Sequence, residues 1–108
     1  MKYIVYQINP DRDTERLAFL GYEQMAKALG SVGISQAFPA YDKVWEGDLP
    51  DCTGLEDLYY KLNMDHPADY RTRSLSVSDI VEMDDGSCWF CDSYGWYEVD
   101  RPVHEAER

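Results

Sequence analysis

Lys2–Ile8 is apolar on both rows of a two-residue alternation. Tyr3, Val5 and Gln7 form one row, and Ile4, Tyr6 and Ile8 form the other. A period of two makes this a β-strand. Two largely apolar rows make it a central one, because a half-solvated strand carries a polar row. Asn9-Pro10-Asp11 ends it with residues suited to a turn. The chain must therefore build a sheet with this strand inside.

The C-terminal half supplies partners. Asp79–Met83, Ser87–Asp92 and Trp96–Asp100 are separated by Asp84-Asp85-Gly86 and Ser93-Tyr94-Gly95, both tight-turn signals, so they read as an antiparallel meander. Tyr41–Leu49 is a further strand, closed by Pro50. Two stretches change to the helical period. Tyr22, Met25, Ala26 and Leu29 fall on one stripe, with Gly30 placed to cap the end. Leu55, Leu58, Tyr59 and Leu62 form a second stripe over about 54–62. There Thr53 and Glu56 are spaced as a capping box, Asn63 suits a left-handed cap, and Pro67 bars continuation. Residues 12–20 fit either a helical turn or an extended segment. Ser31–Ala40 and 63–78 read as connections. The sum is an α+β fold, an antiparallel sheet of four to five strands with two helices. It forms a single domain over 1–108, with its core at about 2–100 and a loose tail at 101–108.

Nine Tyr and three Trp among 108 residues exclude a disordered chain, which has few aromatics. No apolar run approaches the roughly 18 residues of a membrane span, and the N-terminus lacks the apolar stretch of an export signal. The expected location is the cytoplasm, with Cys52, Cys88 and Cys91 as reduced thiols.

Charge is the strongest functional cue. The net charge is −11, and all of it lies in residues 42–100, where fifteen acids face four bases. Such a surface repels nucleic acid and anionic membranes and attracts basic clefts. Direct nucleic-acid binding and membrane binding are therefore not expected. One strand face carries carboxylates only every ~6.6 Å, against one charge per ~1.7 Å of duplex axis. Imitating a nucleic-acid backbone needs several elements together. The residues expected to meet a partner are Glu46, Asp48, Asp51, Glu56, Asp57, Asp84, Asp85, Glu98 and Asp100, with Trp45 and Trp96 as aromatic anchors.

Other constellations carry less. Cys88-Trp89-Phe90-Cys91, with Cys52, His66 and His104, has the residue types of a zinc site. Strand alternation sends Cys88 and Cys91 to opposite faces, which favours packed thiols. No nucleophile elbow, P-loop or dinucleotide-binding glycine motif is present. The expectation is a non-enzyme that needs no cofactor. The segment Arg71-Thr72-Arg73-Ser74-Leu75-Ser76-Val77-Ser78-Asp79 allows a small anion pocket. The favoured reading has Arg71 or Arg73 paired with a local acid, while the serines satisfy loop backbone.

Several segments together resemble the YodL-like domain family. They are Tyr3-Ile4-Val5-Tyr6-Gln7, Val44-Trp45-Glu46-Gly47-Asp48-Leu49, Leu55-Glu56-Asp57-Leu58-Tyr59-Tyr60-Lys61-Leu62-Asn63, His66-Pro67-Ala68-Asp69-Tyr70-Arg71 and Arg73-Ser74-Leu75-Ser76-Val77-Ser78-Asp79-Ile80-Val81. Asp92-Ser93-Tyr94-Gly95-Trp96 is similar to the family's "DSFGF"-like ending, with Trp96 where Phe is usual. The resemblance runs from about 3 to 99 and brings no catalytic residues with it. It implies cargo of conjugative and phage-like mobile elements, often near antirestriction genes. With the acidity, it leads to the expectation of a protein that inhibits a host defence nuclease as an anti-CRISPR or antirestriction factor. The partner would be a CRISPR effector or a restriction nuclease, bound at a nucleic-acid-binding surface. The alternative is a non-inhibitory interaction module of a mobile element, and a zinc-binding protein ranks after both.

Overall fold

The structure is a computed structural model that describes residues 1–30 and 34–102. Its framework is a five-stranded antiparallel sheet of β1 (Lys2–Ile8), β2 (Tyr41–Asp48), β3 (Ile80–Met83), β4 (Cys88–Asp92) and β5 (Gly95–Val99). The strand order is β2-β1-β3-β4-β5, so β1 is an inner strand, as its two apolar rows require. The helices are α1 (Tyr22–Leu29) and α2 (Leu55–Met64). The α+β reading with two helices is borne out, with five strands.

Register explains the layering. Val5 sits opposite both Trp45 and Val81, while Tyr6 sits opposite Ile80, itself opposite Phe90. The row of Tyr3, Val5, Trp45 and Val81 packs with Leu58 and Leu62 of α2 and with Tyr70 and Leu75. The row of Tyr6, Ile8, Ile80 and Phe90 packs with Met25 of α1 and with Leu17, Phe38 and Tyr41. The sheet is therefore a middle layer with one helix on each face. Leu58 and Leu62 are essentially fully buried, each contributing about 1.5–3 kcal/mol. In β2 the indole of Trp45 folds back over Gly47, where a Cβ would come within 2.3 Å of the ring, so only glycine fits beneath it.

Local details depart from the sequence expectations where longer-range partners intervene. The expected capping box at Thr53 is replaced: Asp57 reaches back to accept from the Thr53 amide at 3.1 Å and its hydroxyl at 2.7 Å, and Gly54 is the cap residue. Asn63 is not a left-handed cap. The helix runs through it to Met64, and its amide group clasps Leu75, donating to the carbonyl at 2.9 Å and accepting from the N–H at 2.7 Å. Residues 12–20 form neither of the alternatives as a regular element. A short 3-10 turn, Pro10–Arg12, leads to Asp13, whose carboxylate caps the amides of Leu17 and Ala18. Part of the connection expected over Ser31–Ala40 is a 3-10 segment, Ile34–Ala40, and residues 31–33 lie outside the described residues. The tail expected to be loose from 101 begins packed. Arg101 pairs with Glu82 at 3.2 Å and Pro102 is buried, while 103–108 lie outside the described residues.

Candidate functional site

The fold divides the acidic residues between two places. Strands β2 and β5 are opposite edges of the sheet, about 19 Å apart across four strand spacings. Glu46 and Asp48 sit on β2 opposite Ile4 and Lys2. Glu46 is paired with Lys2 at 2.7 Å and Lys43 at 3.0 Å, and these cations hold its carboxyl below the usual range. Asp48 pairs with the N-terminal amine at 3.3 Å. Asp84, in the β3–β4 turn, accepts from the Lys2 amide at 2.7 Å, and Asp85 accepts from the Ser87 amide at 2.9 Å. Asp57 caps α2 and is held low by its Thr53 bonds. Asp51 adjoins this end near Cys52. Glu46, Asp48, Asp51, Asp57, Asp84 and Asp85 thus belong to the β1 N-terminal end, where most have local work.

The other group lies along β5. Glu56 on α2 and Trp96 line one cleft of about 270 Å³ together with Tyr59, Val77 and Cys91. Glu98 and Asp100 line a second, of about 410 Å³, with Tyr22, Phe38 and Val99. At the rim of the first cleft the β4–β5 turn lifts Tyr94 fully into solvent. Tyr97 stacks on Tyr22 with centroids 4.5 Å apart yet keeps 43% of its surface exposed. Among the described residues, the carboxylates of Asp51, Glu56, Glu98 and Asp100 make no hydrogen bond or ion pair, and all of these residues but Asp51 line these clefts.

Trp45, expected as an anchor, is a core residue. Its ring meets Tyr70 edge-on at 5.6 Å and its indole N–H donates to Asp69 at 3.1 Å. The aromatics that sequence reasoning missed are on α2. Tyr59 sits in the apolar stripe yet is 40% exposed, and Tyr60 lies off the stripe, exposed with Met64 one turn on. The double tyrosine was the available signal, since one member must leave the buried face.

The Arg71–Asp79 segment builds a closed network rather than an anion pocket. Arg73 grips Asp79, and Asp79 also accepts from the Ser76 amide at 2.8 Å and from Gln7 at 3.1 Å. Gln7, the polar member of an apolar row, accepts from the Thr72 hydroxyl at 2.6 Å. Burial pushes the Asp79 carboxyl up to about 6, against the pull of Arg73, Ser76 and Gln7. Ser78 stands at φ 82° and Phe19 at φ 70°, and the Phe19 amide donates to the Ser78 hydroxyl at 2.9 Å. The exposed Phe19 ring lies 4.7 Å from the Arg73 guanidinium and covers the pair. Tyr41 donates to the Ser78 carbonyl at 2.6 Å, and burial raises its hydroxyl far above the usual range.

Cys88 joins the core on the α1 side, while Cys91 borders the α2-side cleft. They diverge across β4 as alternation demands. Burial pushes their thiols up to about 11 and about 12. Among the described residues no three His, Cys, Asp or Glu side chains converge on a metal-sized site, and His104 lies outside them. No helix of the described residues is long and apolar enough to cross a membrane.

A family model for the YodL-like domain matches residues 2–101. The chain belongs to the YodL-like domain family. A search of curated proteins and of solved structures finds no match. In this YodL-like domain the segments that carry the likeness are fold determinants. Leu58 and Leu62 fill the core beneath Val5, Asn63 clasps Leu75, and Arg73 and Asp79 lock the approach to β3. The YodL-like match runs through the whole sheet, β5 included.

Proposed function

We propose that this YodL-like domain binds a host defence nuclease, a CRISPR effector or a restriction enzyme, and inhibits it by occupying a basic surface that otherwise holds nucleic acid. The observation that carries the reading is the set of carboxylates Glu56, Glu98 and Asp100, unpaired among the described residues, near the exposed rings of Tyr59, Tyr94 and Tyr97. Carboxylates beside aromatic faces suit the Arg and Lys side chains that line nucleic-acid channels. The remaining acids add a long-range field from a net charge of −11 that speeds encounter. The mobile-element setting that the family resemblance implies supports a role against host defence in the cytoplasm.

The arrangement argues for contact through one side rather than for a continuous rail of phosphate mimics, because the acids are split between two sheet edges. A second reading, a non-inhibitory interaction module, is favoured by Tyr60 and Met64, which are exposed on α2 away from any need for charge. A tagged pull-down from a lysate containing CRISPR effectors and restriction enzymes, washed at low and then high salt, separates the two. A nuclease recovered at low salt and released at high salt supports the electrostatic inhibitor. A nuclease that survives high salt keeps inhibition but moves the contact to the apolar rings. Recovery of other mobile-element proteins alone overturns the inhibitor reading in favour of the module.

A further inference from the structure

β5 is an outer strand, and among the described residues nothing pairs with its outward side. The hairpin closes with Asp92 opposite Gly95, so antiparallel alternation turns the N–H and C=O groups of Gly95, Tyr97 and Val99 toward β4. Those of Trp96 and Glu98 face outward. Among the described residues no other segment bonds to them. The opposite edge is blunted: β2 carries a bulge at Val44, where the register to β1 slips between Val5 and Tyr6, and it bears Lys43 and is followed by Pro50. Bulges, lysines and prolines are devices that stop an edge from pairing. β5 has none of them across Gly95–Val99.

The two clefts described above flank this same edge, one toward α2 and one toward α1. A strand laid along β5 points successive side chains to alternate faces. One residue would enter the cleft of Glu56, Tyr59 and Trp96, and a residue of the opposite row, further along, the cleft of Tyr22, Val99 and Asp100. The α2-side cleft has Tyr59 and Trp96 as aromatic walls for an aliphatic stem and Glu56 for a cationic head, with Glu98 on the same face of β5 as Trp96; the α1-side cleft has Tyr22 as its wall and Asp100 at its rim, and both suit Lys or Arg. A second copy of this chain is a poor occupant, since two chains of net charge −11 would bring their Glu98 and Asp100 carboxylates together.

We infer that the open edge of β5 accepts an extended, Lys/Arg-rich segment of a partner protein as a sixth strand, its alternate side chains filling the clefts on the two faces. The inference rests on the reading of the protein as a partner-binding domain and names where and what it binds. It does not require the partner to be a nuclease.

The test uses the whole chain and a short synthetic peptide of Lys-Arg-Val repeats, at low salt. Hydrogen exchange reports the outward amides directly. The peptide should slow exchange at the Trp96 and Glu98 amides by about tenfold, and peptides N-methylated on both alternating sets of amides, which leave no N–H to give β5 in any register, should bind about tenfold more weakly. Glu98→Pro removes an outward N–H at an edge position where proline is tolerated. It should weaken binding well beyond Glu98→Gln, which removes only the charge. Binding that leaves the Trp96 and Glu98 amides unprotected, equal binding of methylated and unmethylated peptides, or no binding at all overturns the strand-addition site. If Glu98→Pro does not fold, the methylated peptides on the wild-type chain decide. A nuclease captured equally by wild type and a folded Glu98→Pro sinks the edge site and leaves the nuclease reading standing. Protection by the peptide with no nuclease captured does the reverse.

Discussion

The Arg73 guanidinium holds the fully buried Asp79 carboxylate in a two-pronged pair, Nη2 to Oδ1 at 2.7 Å and Nη1 to Oδ2 at 3.0 Å. Removing one partner strands the other. Arg73→Met should destabilise the fold by about 3 kcal/mol, toward the low end for a broken buried pair because Arg73 is partly solvated. Arg73→Lys should recover only part of this, since an ammonium lacks the planar fork. Urea unfolding of both variants measures it, and a loss within ~0.5 kcal/mol of zero for Arg73→Met would show that Ser76 and Gln7 suffice.

The same carboxylate sets a pH dependence. Its folded pKa of about 6 lies above the value near 3.9 of an unfolded Asp. The folded state therefore binds the proton more tightly. The resulting stabilisation is fully present below about pH 4 and lost as pH rises through about 6. The stability of wild type relative to Asp79→Asn should fall by about 2 kcal/mol from pH 4 to pH 7. Paired unfolding curves at the two pH values read this out, and a gap that grows instead would mean that Arg73 outweighs burial.

Gly47→Ala should destabilise by about 1–3 kcal/mol, although alanine is the less flexible residue, because the added methyl meets the Trp45 ring. Urea unfolding of the variant against wild type measures the loss, and a change within ~0.5 kcal/mol of zero would show that the ring gives way.

The thiols should be inert. Cys52, Cys88 and Cys91 are buried and burial raises each pKa. At neutral pH a disulfide reagent should label the folded protein about two orders of magnitude more slowly than the protein in denaturant. Fast labelling of any one thiol in the folded state would reveal local opening there.

Tyr94→Ala should leave stability within ~0.5 kcal/mol of wild type, since the ring is fully exposed, while weakening partner capture. Reversing Glu98 and Asp100 to lysine should slow association several-fold at low salt, and more than reversing Asp84 and Asp85. Thermal melts and association rates against the captured partner check both. Equal slowing by the two pairs would place the contact on the β1 end as well.

Much of the fold was legible because strands and helices are local patterns. The alternation of Lys2–Ile8, the stripe of Tyr22–Leu29 and the turn at Asp84-Asp85-Gly86 each declare an element with no knowledge of its neighbours. The cap details were less so, because Asp57 and Thr53 offer the same atoms in more than one pairing. Gln7 was a visible anomaly in an apolar row, but its partners Thr72 and Asp79 lie 65 and 72 residues away.

What the sequence determined by itself was the kind of layers, the inner place of β1 and the confinement of charge to residues 42–100. Strand order was decided only in the tertiary structure. It put β2 and β5 at opposite edges, dividing acids that look continuous in the chain. It also buried Trp45 against Tyr70 while leaving the edge of β5 open beside Glu98. The physical reason is that periodicity gives each strand two faces but does not say which strand lies alongside it. Exposure, pairing and charge proximity all depend on that neighbour.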